Sequence, residues 1–521
     1  MPGYVIGVDC STTATKAVVF DAAGTAVAEG RRSFPLSRPR PGWHEQDART
    51  WRESTFGALA DAVSQVDATD VLAIGLTHQR ESFVCLDERG WAIRPAILWL
   101  DGRAGPQIRE HGSAAVHELS GKPPDVTPAL YKLLWLRENE PQTLERAAMV
   151  TDVHGYLVHA LTGQWRTSVA SADPLGLVDM STGAWSEQLL GMVGLTLGQL
   201  PEVVAPGTVV GELTDEAARA TGLRAGVRVV AGAGDGQSAG LGADVTVAGR
   251  AYLNLGTAVA AGTHSDTYRW DRAFRTMFSP VPGAYTLETL LSGGTYIVSW
   301  YVERFGSIPE LGLGLSAEQV LETAAAQLPR GSDGLMLLPY WNAAQTPYWD
   351  PAARGVVLGW QGMHGKAHLY RAALEGIAYE LRLQTDGVDA VLGSPVERFY
   401  AMGGGSRSPL WSQLVADITG RPVTLCRETE TTALGAAILA AAAVDLHGSG
   451  APGRASAPAA TPDAIRAAAD AMTGFARTVH PDPVAAAVYD RFFDVYRDLY
   501  PRLADLFPRL AEATRLADGQ G

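Results

Sequence analysis

The stretch Val5–Asp21, VIGVDCSTTATKAVVFD, decides how the rest of the chain is read. Val5, Ile6 and Val8 alternate toward a carboxylate, Asp9. Ser11, Thr12 and Thr13 follow, and a second strand-like run extends from Ala17 to Phe20. A plain hairpin bend needs only Gly or Asn; this one carries an Asp and three hydroxyls. A turn that presents successive backbone N–H groups beside Thr hydroxyls is an anion nest. A carboxylate at its edge can hold a hydrated Mg²⁺, and Lys16 adds a point charge. A capped turn with a solvated Asp explains the same residues equally well. A second bend, Leu255–Thr257, lies far downstream in RAYLNLGTAVAAGTHS, with Gly256 and Thr257 at its tip. Alone it reads more readily as a plain turn. Two nests facing across a cleft would clamp a polyphosphate.

Outward from these bends, strands and helices alternate. EQDARTWRESTFGALADAV carries Trp51, Leu59 and Val63 at multiples of four, a helical stripe. VLAIGLT is a strand, ALYKLLWLRENEP a helix stopped by Pro141, and VVAGAGDGQSAGLGA a strand entering a Gly-rich turn and a small-residue helix. In the second half HLYRAALEGIAYELRLQTDGV is a long helix, and RFYAMGGGSRSPLWSQLVADITG reads as strand, glycine loop, helix. The halves share a plan, so two α/β lobes with a cleft between them are expected. The boundaries drawn are 1–246 for an N-terminal lobe, 247–445 for a C-terminal lobe, 446–480 for a flexible Gly/Ala/Pro/Ser-rich excursion and 481–521 for a helical extension.

Composition narrows the function classes. Of 521 residues, 46% are apolar and 19% charged, which describes globular cores rather than disorder. The 42 basic against 56 acidic residues leave a net charge of −14, which speaks against bulk nucleic-acid or anionic-membrane binding. It leaves room for an anion held by backbone amides. Three scattered cysteines cannot form a disulfide framework and suit a reducing, cytoplasmic setting. No leader pattern is legible. The longest apolar run, Ala433–Val444, is short and Ala-rich, a buried helix rather than a span.

Three further clusters carry chemistry. Gly403, Gly404 and Gly405 sit between a strand and a helix, where a base or ribose can lie against bare backbone; a tight turn is the blander reading. Asp235 is the lone charge in the small-residue window Ala231–Ala243. In a dry setting it would be raised and suited to take a proton from a hydroxyl; a helix N-cap Asp is the alternative. In THQRESFVCLDERGWAIRPAILWLDGRA, Arg80 and Glu81 leave a strand end together, a fork donor beside an acceptor, as a polyhydroxylated ligand requires. Trp99 offers a stacking face, and Asp101 and Arg103 follow. A surface ion pair is the competing reading.

With these residues in hand, the chain resembles the FGGY carbohydrate kinases, which include xylulokinase, glycerol kinase, ribulokinase and gluconokinase. The resemblance runs from Tyr4 to about Ala442, through GVDCSTTATKAVVFD, PGWHEQDARTW, RPAILWLDGR, KLLWLRENEP, GDGQSAGLGA, LNLGT, TPYWDPAARGVVLG, RAALEGIAYELR, GGGSRSPLWSQLVADITGRPV and ETTALGAAILAA, in the family's order. It implies an α/β fold of two ribonuclease-H/actin-like lobes, ATP with Mg²⁺ in the cleft between them, and phosphoryl transfer to a small sugar or polyol. By position, Asp235 matches the catalytic base and Asp9 the metal-associated acid. Ser11, Thr12, Thr13, Lys16, Gly256 and Thr257 fall at the ATP phosphates, and Gly404, Gly405 and Ser408 in the adenosine segment. Arg80, Glu81, Trp99, Asp101 and Gln237 are the expected acceptor contacts. A homodimer is expected only by analogy.

Departures concern the acceptor. Xylulokinases commonly show QMHG where this chain has QRES, Gln79–Ser82. Arg80 and Glu81 resemble the glycerol kinase pair, but Thr127 stands where glycerol kinase has a tyrosine five residues before its helix lysine, here Lys132. WLDGR looks like xylulokinase. Gly236 replaces the usual Asn or Gln after the base, WNAAQTPYWD lacks the common GERTP, and Ser11 replaces a Gly. A ketopentose such as D-xylulose is the first expectation, glycerol or another polyol or sugar acid the second. An actin-like ATPase or a catalytically silent sugar sensor would share the nests but not need both the acceptor cluster and the two retained aspartates.

Overall fold

The computed structural model describes residues 3–306, 316–448 and 459–517. The opening stretch folds as a hairpin of β1 (Tyr4–Cys10) and β2 (Ala14–Phe20), antiparallel, with Asp9 opposite Lys16. With β3 (Ala26–Ser33), β4 (Val71–His78), β5 (Val209–Glu212) and β6 (Arg228–Gly234) it forms a six-stranded sheet in the order β5-β6-β4-β1-β2-β3. β1 pairs with β4 in parallel, and so does β6. Such strands are buried on both faces, and Val5, Ile6, Val8, Ile74, Leu76 and Val229 are fully so.

The second sheet repeats the plan. It contains β7 (Arg250–Leu255), β8 (Val259–Ser265), β9 (Arg275–Phe278), β10 (Tyr285–Leu291), β11 (Arg398–Met402), β12 (Val423–Cys426) and β13 (Phe475–Val479), in the order β9-β10-β8-β7-β11-β12-β13. Here β7 takes the place of β1, with an antiparallel partner β8 on one side and a parallel β11 on the other.

Helix α1 (Arg49–Val63) covers the first sheet through Trp51, Leu59 and Val63, the stripe read from spacing. Two small-residue helices join the lobes. α2 (Asp235–Gly242) packs Ala239 on Tyr252 of β7 in the second sheet. On the second sheet's other side lie α3 (Lys366–Leu392) and α4 (Pro409–Thr419). α5 (Thr431–Ala443), which comes from the second half, lies on the first sheet beside Val5 and Ala73. Its approach is close enough that a Cβ at Gly75 would stand 1.9 Å from the Ala436 carbonyl oxygen. α2 and α5 cross as tightly, because a Cβ at Gly435 would stand 1.9 Å from the carbonyl oxygen of Ser238.

The region 446–480 corrects the expectation of a flexible excursion. Residues 449–458 lie outside the described residues, but α6 (Pro462–Met472) is capped by Thr461 and buries Ile465, Ala468, Ala469 and Met472. β13 then pairs antiparallel with β12. A Gly/Pro-rich composition hid a helix with a strong apolar face. α7 (Pro483–Leu503) packs back through Tyr489, Phe493, Tyr496 and Leu499. Its phenols reach buried carboxylates of α3: Tyr489 donates to Glu375 at 2.9 Å and Tyr496 to Glu380 at 2.6 Å.

Candidate active site

The first bend is closed by Ser11, whose N–H and hydroxyl both donate to the Ala14 carbonyl, at 2.9 and 2.8 Å. Ser11 is not among the residues with positive φ, so a side chain costs nothing there. The N–H groups of Thr12 and Thr13 have no acceptor among the described residues. The Thr12 hydroxyl accepts from Trp99 Nε1 at 3.0 Å, which ties the bend to the indole. At the second bend the carbonyls of Gly256 and Thr257 accept from the segment entering the helix Thr295–Phe305, and the N–H groups of Gly256 and Thr257 have no acceptor among the described residues. Both bends therefore offer bare donors, as an anion nest does.

Asp9 lies at the end of β1 beneath the first bend. Its Oδ1 is buried without a partner. Burial, then the nearby charges of Asp235 and Glu430, push its carboxyl up to about 7, against the pull of Lys16. Lys16 itself pairs with Glu430 at 2.6 Å, just before α5. An orphaned, buried carboxylate oxygen next to another carboxylate is what a hydrated Mg²⁺ relieves. No cluster of three metal-binding side chains exists among the described residues. The donor set thus fits a cation shared with phosphate and water, not a protein cage.

Asp235 is the first residue of α2, and Gly234 is the cap, so the N-cap alternative does not hold. Its carboxylate is not dry, with the side chain 42% exposed to the cleft, and it forms an ion pair with Arg80, Nε standing 2.8 Å from Oδ1. Arg80 continues through Nη1 to Glu288 at 3.0 Å. Glu81, held at a φ of 59°, accepts from Arg275 Nη1 at 2.6 Å. Arg275 closes the chain onto Glu288 at 2.6 Å, and Tyr252 donates to the same carboxylate. Burial alone would raise Glu288, but Arg80 and Arg275 outweigh it and hold it down to about 2. These are not the surface ion pair that the sequence left open.

Two expected acceptor contacts are corrected. Asp101 is fully buried, and both its oxygens are engaged by the N–H groups of His44 and Arg103 and by the Arg103 guanidinium. It braces a loop and has no oxygen left for a ligand. Gln237 Nε2 donates to the carbonyls of Ala170 at 2.8 Å and Phe278 at 3.4 Å, and its Oε1 accepts from Arg80 Nη1 at 3.5 Å, so its donors are committed to backbone and its oxygen to the clamp. Lys132, buried and lowered by burial to about 8, donates to the carbonyls of Trp99 at 3.0 Å and Thr127 at 2.7 Å, fixing the indole's backbone.

The glycine loop opens on a cavity of about 910 Å³ lined by Thr295, Glu322, Tyr370, Gly404, Gly405 and Ser408. Ser408 caps α4 by accepting from Trp411 N–H, and its hydroxyl donates to Glu322. It shapes the cavity wall rather than offering a free hydroxyl. Sequence reasoning missed Arg275 and Glu288. For Glu288 the available signal was the one used for Asp235, a lone charge in an apolar run; Arg275, close behind Arg269, Asp271 and Arg272, carried no such signal.

One lobe thus carries a carboxylate open to the cleft beside a polar clamp, the other a cavity lined with bare glycine backbone, and each contributes an anion nest. The model of the FGGY family of carbohydrate kinases matches this chain with its N-terminal domain over residues 4–242 and its C-terminal domain over 251–444. The chain belongs to the FGGY carbohydrate kinases. Among this kinase's relatives, the xylulose kinase of Bacillus subtilis (strain 168) is 28% identical over 510 residues, covering 95% of this chain and 96% of that protein. The glycerol kinase of Acidovorax ebreus is 32% identical over 470 residues, covering 86% and 91%. The solved xylulose kinase of Rhodospirillum rubrum superposes with a TM-score of 0.85 at 30% identity, covering 97% of this chain and 99% of that one. The two-lobed α/β architecture of the family and its phosphotransferase class hold for this kinase. No helix among the described residues is long and apolar enough to cross a membrane.

Proposed function

We propose that this kinase moves the γ-phosphoryl group of ATP to a hydroxyl of a ketopentose or small polyol, with D-xylulose the leading acceptor and glycerol the second. The observation that carries the reading is Asp235, exposed to the cleft at the start of α2 and held by Arg80 Nε at 2.8 Å. The acceptor lies against Arg80, Glu81 and the face of Trp99. Asp235 orients one hydroxyl and takes its proton. Arg80 keeps the carboxylate aimed, so orientation counts as much as basicity, as expected for a loose transition state.

The polyphosphate lies between the free N–H groups of Thr12 and Thr13 and those of Gly256 and Thr257, and the adenosine against Gly404 and Gly405. Lys16 must exchange Glu430 for phosphate to take part. Asp9 would hold Mg²⁺ through water; when bound, that ion supplies charge neutralisation on the phosphates. Xylulose kinases among the relatives support the first acceptor and glycerol kinases, with the Arg80–Glu81 pair, the second. Three unpaired cysteines and dependence on ATP support a cytoplasmic setting.

The test is ADP release with MgATP against D-xylulose, L-xylulose, D-ribulose, L-ribulose, glycerol, erythritol and gluconate. Turnover that depends on one ketose or polyol is the expected result. ATP hydrolysis indifferent to every acceptor overturns the proposal.

A further inference from the structure

Arg275 and Glu288 stand on β9 and β10 of the second sheet, while Arg80, Glu81 and Asp235 belong to the first half of the chain. The five form one chain of charges across the cleft. Arg275 is spent entirely on protein: Nη1 on Glu81 Oε1 at 2.6 Å and Thr127 Oγ1 at 3.4 Å, and Nε and Nη2 on Glu288 Oε1 at 2.8 and 2.6 Å. Glu288 Oε2 in turn accepts from Arg80 Nη1 and from Tyr252. One oxygen of Glu81 and the Nη2 of Arg80 have no partner among the described residues, and neither is sealed off. Gly236 is small for this reason. A Cβ there would meet Glu288 Oε2 at 2.5 Å and both terminal Arg80 nitrogens at 3.0 Å.

We infer that Arg275 is a specificity-determining positioning residue: from the second lobe it fixes Glu81 directly and Arg80 through Glu288, so that the finished pocket takes uncharged polyols and ketoses and rejects sugar acids. The inference rests on the kinase reading above. The clamp presents one free guanidinium donor and two carboxylate acceptors, Glu81 and Asp235. Neighbouring hydroxyls of a neutral polyol donate and accept, and so match that set. A carboxylate ligand only accepts. It would face the Glu81 and Asp235 carboxylates with a single free guanidinium nitrogen to meet it, and like-charge apposition of this kind is unfavourable. Lys132 offers no compensation, since its donors reach the carbonyls of Trp99 and Thr127.

The experiment is steady-state kinetics of wild type, Arg275→Met, Arg275→Lys and Gly236→Ala, with each neutral acceptor and with gluconate. Wild type should turn over a neutral acceptor and not gluconate. Arg275→Met should raise the acceptor KM by roughly thirtyfold, since it leaves the buried Glu81 carboxylate unpaired and takes from Glu288 one of its two guanidinium partners, while the KM for ATP stays within about threefold. Arg275→Lys should recover part of the loss, because one ammonium cannot bridge both carboxylates. Gly236→Ala presses on the same clamp from outside and should raise the acceptor KM about tenfold. It carries the test if Arg275→Met fails to fold by circular dichroism. An acceptor KM within threefold of wild type in both Arg275→Met and Gly236→Ala, or equal losses on ATP and acceptor, overturns the inference. A wild type that prefers gluconate overturns it while leaving the kinase reading intact. A wild type inactive with every acceptor overturns both.

Discussion

Gly435→Ala is a methyl group placed far from any substrate, and the structure assigns its effect a sign. In a helix interior this change ordinarily stabilises by about 1 kcal/mol, because Ala has the higher helix propensity. Here the new Cβ would lie 1.9 Å from the carbonyl oxygen of Ser238 in α2. Carbon and oxygen do not approach below about 3 Å, so α2 and α5 must part by about 1 Å. The crossing cannot yield locally, since a Cβ at Gly242 would also meet the Thr431 carbonyl, at 2.0 Å. Overpacking of this kind costs about 1–3 kcal/mol, enough to reverse the propensity gain. Asp235 begins α2, three residues before Ser238, so the displacement reaches the proposed base. A misplacement of about 1 Å costs roughly a hundredfold in rate. The assay is kcat from acceptor-dependent ADP release alongside thermal melting. The expected result is a folded protein of lower melting temperature with kcat down about a hundredfold. A variant that melts higher than wild type and keeps its kcat would refute the tight-crossing argument.

Other predictions follow from single side chains. Asp235→Asn should lower kcat by about 10²–10⁴ with the KM for ATP little changed; a variant with near-normal turnover removes Asp235 from the chemistry. Asp101→Ala should destabilise by about 3 kcal/mol, because Arg103 loses its two-oxygen partner and is left with Glu45, and a melting curve like that of wild type would argue against its bracing role. Glu380 is buried between Tyr340 and Tyr496, and burial raises it to about 7, above its unfolded value. That proton's stabilisation is present below about pH 4.5 and is lost as pH rises through 7, to a total of about 3 kcal/mol. Glu380→Gln should therefore gain on wild type in melting temperature from pH 5 to pH 8, and a constant difference would contradict the assignment. For Asp9, raised to about 7, the carboxylate form is lost as pH falls from 8 to 6. The KM for MgATP should rise over that range in wild type and change less in Asp9→Asn.

What was legible in the sequence is what neighbours in the chain decide. The hairpin at Val5–Phe20, the strand-turn-helix placing Asp235, the glycine loop before Ser408 and the stripe of Trp51, Leu59 and Val63 all rest on local periodicity and turn chemistry. The sequence alone therefore determined the α/β class, the two similar halves and the cluster at Arg80 and Glu81. Tertiary structure alone decided which partner each charge found. Arg275 meets Glu81 across 194 positions and Arg80 meets Glu288 across 208, pairings that no window of the sequence contains. Asp101 looked like a ligand because WLDGR is polar and follows Trp99, yet its lone pairs go to His44 and Arg103. Gln237 lost its amide to two carbonyls for the same reason. A buried polar group must be satisfied by whatever the fold brings near, and spacing along the chain does not record it.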